Sequence, residues 1–389
     1  MAYISSNANR WYCALESGYG SIPAITAGNR IPAVSMTAQV TRAKSQRKDK
    51  TGSRSWPGVP QGLRTTTSYD MKSYMRDWPD PTVPPPHDAL FQATMGGAST
   101  IWPGGTPSAA TTASTVAFAA PHGLIPGQAI VSAGEIRFVA AVADPSTVIL
   151  NAPFSSVPVV GVPLGPSATY SLAETLPSIS VFDYWDPSTA IQRVLTGVAV
   201  DQMSVKLNGD FHEFEFKGKA QDIIDSASFM ANQGGLAAFP PEPTVGSLSY
   251  SPVPGCMGQV WLGVIANQFL TVSAASIAIK NNVDMRDKEF GSCMAMGISP
   301  GQREVSISLE LFAGDDTATE SLYQAARQQV PMGVMFQLGQ VGGQLMGIYL
   351  PSVVPVVPEF DDSETRLKWK FEDTRAQGSG DNEISIAFG

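Results

Sequence analysis

The stretch TGVAVDQMSVKLNGDFHEFEFKG, residues 196–218, carries the clearest strand–turn–strand pattern in the chain. Met203, Val205 and Leu207 fall on one side and Gln202, Ser204 and Lys206 on the other, the period of two expected of a strand with one buried face. Asn208-Gly209 favours a two-residue type I′ turn. On the return, Phe214 and Phe216 alternate with Glu213, Glu215 and Lys217. The pattern predicts a sheet with one apolar and one charged face.

Working outward, the same alternation recurs. In Leu63 to Met75, Thr65, Thr67, Tyr69 and Met71 share one face; in Glu304 to Leu311, Val305, Ile307, Leu309 and Leu311 do; in Arg366 to Glu372, Leu367, Trp369 and Phe371 do. Two of these strands follow a common motif, GVPQGLR at 58–64 and GISPGQR at 297–303, both Gly-x-x-x-Gly-x-Arg. Each is preceded by a strand and a long loop, at 31–42 and 43–62 in the first half and at 274–281 and 282–301 in the second. Each is followed by a helical segment, DALFQA from Asp88 and ESLYQA from Glu320, predicting helices near 87–96 and 316–329 with acidic residues at their starts. One order of elements written twice points to a duplicated module. The two motifs lie 239 residues apart, whereas the strand faces match at 240, a difference that one bulge absorbs.

Residues 100–176 differ in kind. They are almost uncharged, and TVAFA, QAIVSAG, EIRFVAAV and TVILN read as short strands between turn signals. This segment is expected to be a small all-β domain, 100–176, inserted into a first module made of 1–99 and 177–222. A Gly/Pro/Ser-rich connector, 223–264, leads to a second module, 265–389.

Composition narrows the function. Only 15% of the 389 residues are charged, with 36 Gly and 30 Pro, which suits many strands and turns. The three cysteines lack metal or disulfide spacing and read as free thiols of a reducing compartment. The N-terminal twenty residues lack the pattern of a secretion signal, and Val260 to Ile279 is too polar to span a membrane, so assembly in a cytoplasm is expected. His87, His122 and His212 have no ligand spacing to one another, and each reads as structural: His87 as a solvated helix start, His122 as a turn residue, His212 as a neighbour of the hairpin turn. The carboxylate pairs Asp315/Asp316, Asp361/Asp362 and Glu213/Glu215 read as a helix start, a turn and a strand face. No catalytic, metal or cofactor site is expected.

Charge is uneven. The overall net of −9 hides a basic run, Arg42, Lys44, Arg47, Lys48, Lys50 and Arg54, ahead of a strongly acidic second half. Such a run binds either a polyanion or an acidic protein face; without interleaved aromatics the second is favoured.

With these elements in place the chain resembles the major tail tube proteins of long-tailed, siphovirus-type bacteriophages. The resemblance rests on the 196–218 hairpin, the loop ending GVPQGLR, the DALFQA helix, the run AASIAIKNNVDMRDKEFG with GISPGQREVSISLELF, and the closing LPSVVPVVPEFDDSETRLKWKFEDTRA. It implies a mainly β fold: two tandem β-sandwich modules, each with a flanking α-helix, plus the inserted domain as an exterior decoration. It further implies a structural tail tube subunit forming trimeric, pseudo-hexameric rings around a tape measure protein. Tail terminator and distal tail proteins would cap the tube, and genomic DNA would pass through without sequence-specific binding. On that reading the basic run, with Arg64 and Arg303, becomes a ring-stacking loop, and Glu213, Glu215, Glu310 and Glu372 become lumen-lining residues. Competing readings are another phage structural protein (distal tail, tail terminator or capsid decoration) and, from a different class, a surface adhesin or cell-wall hydrolase.

Overall fold

The computed structural model describes residues 3–43, 49–55, 58, 64–244, 248 and 250–389. The fold is mainly β, with two α-helices among the described residues. Three sheets carry most of the structure. The largest has twelve strands, a second has seven, and a third of four belongs to residues 115–150.

Eight strands of the largest sheet run side by side through both halves of the chain. Their order is Ala33–Arg42, Thr65–Tyr74, Glu213–Ala220, Arg193–Leu207, Val272–Lys280, Glu304–Phe312, Lys368–Arg375 and Glu359–Asp361, each antiparallel to the next. The alternation read from the sequence is largely the alternation found: Tyr69, Met71, Val205, Phe214, Phe216, Ile277, Ile307, Leu309 and Phe371 are buried on one face, whereas Leu367, expected inward with Trp369 and Phe371, is exposed just ahead of the strand Lys368–Arg375. The 196–218 hairpin pairs Val205 with Phe214 and Met203 with Phe216. Its turn differs from expectation. The strands are joined by five residues, and Asn208 has the left-handed φ of 63° while Gly209 does not. The loop is held from outside instead: Gly255 N donates to Asp210 O, Phe211 bridges to Pro254, and His212 lies 3.0 Å from the Met257 carbonyl. These long-range bonds replace the local turn.

The long strand Arg193–Leu207 serves two groups of neighbours. Its second half joins the eight-strand run, while its first half pairs with Ile179–Trp185 and Asp222–Asp225. Ile179–Trp185 in turn pairs with Asn9–Leu15.

Across the buried face lies the seven-stranded sheet, in the order Asn267–Gln268, Gly258–Gly263, Met332–Leu338, Met346–Val353, Ser385–Phe388, Ser167–Ser171 and Thr100–Trp102. This sheet draws strands from segments that the sequence reading grouped apart. Residues 100–102 and 167–171, assigned to the insert, are strands of this sheet. So is Gly258–Gly263, assigned to the connector. Thr100–Trp102 and Ser167–Ser171 pair with each other and Ser167–Ser171 with the C-terminal strand, while Gly258–Gly263 pairs locally with Asn267–Gln268 and distantly with Met332–Leu338; the distant partners are what local pattern does not reveal.

Helix Asp88–Met95 packs between the sheets. Phe91 lies fully buried within 6.0 Å, centroid to centroid, of Tyr170, Phe214, Phe216 and Phe388. Helix Thr317–Gln328 is capped by Asp316, whose carboxylate accepts from Thr319 N at 2.8 Å, and its Tyr323 packs 5.5 Å from Trp369.

His87, expected to be solvated, is 5% exposed and sits edge-on to Phe214, with Nε2 2.7 Å from Ser73 Oγ. Burial, reinforced by Arg76, pushes its pKa down to about 3. The folded state therefore holds this ring neutral. Stability from it is complete above the unfolded pKa near 6.5 and falls as pH drops toward 3, by up to about 1.4 kcal/mol per pH unit. Urea midpoints should fall between pH 6.5 and 4, and more shallowly in His87→Asn. Parallel slopes for the two proteins would contradict this.

Candidate assembly surface

The charged face of the eight-strand run is a single surface crossing both halves. One row of directly opposed residues reads Asp70, Lys217, Gln202, Lys280, Glu304. Lys217 Nζ lies 3.5 Å from Asp70 and 3.0 Å from Glu215. Lys72 lies 3.7 Å from Glu213 and 3.8 Å from Glu215. Burial raises the Glu215 pKa, but the Lys217 hydrogen bond with the nearby lysine charges outweighs it and leaves the carboxylate below its ordinary value. Glu310 stands opposite Lys370, whose ammonium is 2.7 Å from Asp361. That contact holds the Asp361 carboxyl well below the usual range.

Glu213, Glu215 and Glu310 thus share one face, and Glu372 is exposed on Lys368–Arg375. The face is not acidic. Glu213 faces Lys206, Glu215 faces Lys72, and Glu310 faces Lys370 across the ladders. Exposed pairs of this kind contribute only about 0–1 kcal/mol each; their larger effect is to alternate the sign of charge across the sheet.

Among the described residues both ends of the run are open. Ala33–Arg42 pairs on one side only, with Thr65–Tyr74, and exposes Val34 and Val40. At the other end Glu359–Asp361 pairs only with Lys368–Arg375, and Val356, Val357 and Phe360 are exposed. Apolar, unpaired edges of this kind drive association unless covered.

Two long loops leave the same end of the sheet. Of the basic run, Lys44, Arg47 and Lys48 lie outside the described residues, as does most of GVPQGLR. Arg42, Lys50 and Arg54 are exposed. Arg64 reaches the second loop, donating to the carbonyls of Lys288 and Glu289 at 3.0 and 3.3 Å, and Thr65 N donates to Cys293 O. Gln221 Nε2 binds Ala295 O. The second loop is therefore tied to its own chain while presenting Phe290 fully to solvent. Arg303 is engaged internally as well: its guanidinium donates to Ala173 O at 2.6 Å and pairs with Asp381 at 2.9 Å.

A family model described as phage tail tube protein matches residues 62–389. The chain belongs to the phage tail tube protein family. Family membership makes it a structural component of the virion tail that assembles with itself and with other tail proteins. No curated protein matches the chain.

The three histidines lie inside the fold. His122 and His212, like His87, are buried, and their rings meet backbone carbonyls: His122 that of Asp144, His212 that of Met257. Among the described residues no group of three or more His, Cys, Asp or Glu could hold a metal ion. Among them, too, no helix is long and apolar enough to cross a membrane.

What sequence reasoning did not locate is which strands form the open edges. The signal was present in Val356, Val357 and Phe360, but apolar residues beside prolines read equally well as a packed connection.

Proposed function

We propose that the chain is a two-module tail tube subunit of a siphovirus-type phage. Three copies close into a pseudo-hexameric ring, and rings stack around a tape measure protein to form a conduit for DNA. The observation that carries this reading is the eight-strand run itself. It contains two successive four-strand sets in the same order, with a continuous charged face and an open edge at each end. Closing such edges on identical copies removes them.

The charged face becomes the lumen, with Glu213, Glu215, Glu310 and Glu372 among its residues. A wall of alternating sign offers DNA phosphates no uninterrupted cationic track, and the absence of such a track keeps electrostatic binding weak. The basic arm around Arg42, Lys50 and Arg54 and the loop carrying Phe290 stack one ring on the next. Arg64 and Arg303 brace these loops from within the subunit. Tail terminator and distal tail proteins cap the two ends, and assembly takes place in the host cytoplasm.

Negative-stain electron microscopy of purified protein tests the reading. The intact chain should form tubes, and deletion of residues 43–54 should leave rings or very short stacks. Tubes of unchanged length after the deletion would remove the arm from stacking. Monomers at every concentration would contradict the tube itself.

A further inference from the structure

The joint between the two halves of the chain has a counterpart that is left open. Each half contributes four strands in the same order: strand, strand after the long loop, then the two arms of a late hairpin. The buried aromatics set the correspondence. Phe214 packs 5.5 Å from Phe91 of the first helix, and Trp369 packs 5.5 Å from Tyr323 of the second. Placing Phe214 and Phe216 on Trp369 and Phe371 brings the pairs beside them into register, up to the bulge that sets Thr374 opposite Ile307. Met71 opposite Phe216 matches Leu309 opposite Phe371, and Val205 opposite Phe214 matches Phe360 opposite Trp369. On the leading strands, Met36 opposite Met71 matches Ala275 opposite Leu309, and Ala38 opposite Tyr69 matches Ile277 opposite Ile307.

Inside the chain the two sets meet where Val205 stands opposite Ile277, antiparallel. Carrying that joint forward one step replaces Val205 by Phe360 and Ile277 by Ala38. Resting on the ring reading above, we infer that the occupant of the open Glu359–Asp361 edge is a second copy's Ala33–Arg42 strand. The strands run antiparallel, with Phe360 opposite Ala38, Glu359 opposite Gln39 and Asp361 opposite Thr37.

The residues fit the position. Phe360 is 53% exposed although it stacks on Trp369 at 5.4 Å and meets Tyr323 edge-on at 6.0 Å, so about half of its surface is left uncovered. The small Ala38 would take the place held by Ile277 at the inner joint, leaving room for the larger Phe360 where Val205 stands. A large–small exchange of this kind conserves volume across the pair. The shorter edge strand also explains the length of its partner. Ala33–Arg42 extends past the three residues of Glu359–Asp361 and reaches the exposed Val356 and Val357.

Cysteine pairing in assembled protein tests the register. Cys13 is buried, whereas Cys256 and Cys293 are exposed and are replaced by serine in the background. Into that background go Phe360→Cys with Ala38→Cys, and, as register controls, Phe360→Cys with Met36→Cys or Val40→Cys. Directly opposed positions have Cβ atoms about 4.5–5.5 Å apart, against roughly 7–8 Å between diagonal neighbours, so oxidation discriminates among the three. Mild oxidation of assemblies verified by electron microscopy should cross-link the 360–38 pair best. Its non-reducing gel ladder should stop at a covalently closed trimer. Preferred cross-linking at 36 or 40, or none in intact tubes, would overturn the register while leaving the tube reading standing. Loss of tubes in all variants, with tubes present in the serine background, would place these edges in the interface but overturn their tolerance of exchange; the single-cysteine variants then decide, since assembly by Ala38→Cys alone is required. Absence of tubes in the serine background itself would count against the tube reading, not the register alone.

Discussion

Excising residues 100–176 is expected to abolish folding, not merely to strip an ornament from the surface. The cut removes Thr100–Trp102 and Ser167–Ser171, two strands of the seven-stranded sheet. Ser167–Ser171 pairs with the C-terminal strand, Ala168 opposite Phe388 and Tyr170 opposite Ile386. Tyr170 is fully buried against Phe91 at 5.4 Å, and its hydroxyl donates to Asp88 at 2.7 Å. Losing that side chain alone removes a large aromatic from the core, at a cost of about 3–5 kcal/mol, comparable with the whole stability of a typical domain. A cut between Gly105 and Leu164 behaves differently. Leu164 N donates to Gly105 O at 2.9 Å, so a short glycine bridge can rejoin the chain there and keep both strands. This protein should be soluble with native β circular dichroism but lower stability, because Met335 and Tyr349 lose their cover. A native melting curve after removal of all of 100–176 would contradict the role assigned to the two strands.

The second large effect is expected at Arg137. Its side chain is wholly inaccessible. Nη1 donates to Ile136 O and Gln337 Oε1, Nη2 to Gln259 Oε1 and Nε to Pro153 O, and the guanidinium lies 5.1 Å from the Trp261 ring centre. Glu135 is 3.3 Å away. Around this group Phe138 stacks on Tyr349 at 5.4 Å, so the inserted sheet and the seven-stranded sheet share one buried cluster. Desolvation lowers the Arg137 pKa to about 10 against the pull of Glu135; at neutral pH the group is still charged and its partners still needed. Arg137→Ala should cost about 3–5 kcal/mol, the penalty for breaking a buried ion pair from one side. The double change Arg137→Met with Glu135→Gln should recover part of the loss, because it removes the stranded charge and restores volume. Urea unfolding measures both. A loss under about 1 kcal/mol for Arg137→Ala would show that the insert docks without it.

The half-buried strands were legible in the sequence because each has one wet face. Thr65–Tyr74, Glu213–Ala220 and Glu304–Phe312 alternate, and their buried residues are the ones alternation selects. Helix Thr317–Gln328 was equally legible, from Asp316 at its start and Arg327 near its end. Ile179–Trp185 was not, since six of its seven residues are buried on both faces and leave no period to read. Asn9–Leu15, its partner, was missed for want of the same signal. The docking of the insert depends on Arg137 and Gln337, two hundred residues apart, which no local pattern connects. At the assembly surface, the sequence located the glutamates of the charged face but not the lysines opposite them, because cross-strand partners depend on sheet order. The same order revealed the open edges, on which the proposed ring depends.

The central claim is a ring in which copies continue one sheet through open edges, with the alternating charged face inward. A helical reconstruction of purified tubes by cryo-electron microscopy tests it most directly. The account predicts three copies per ring, each supplying eight successive strands, with Glu213, Lys217 and Glu310 on the lumen wall. Six copies per ring, or a wall formed by any other surface of the chain, would contradict it.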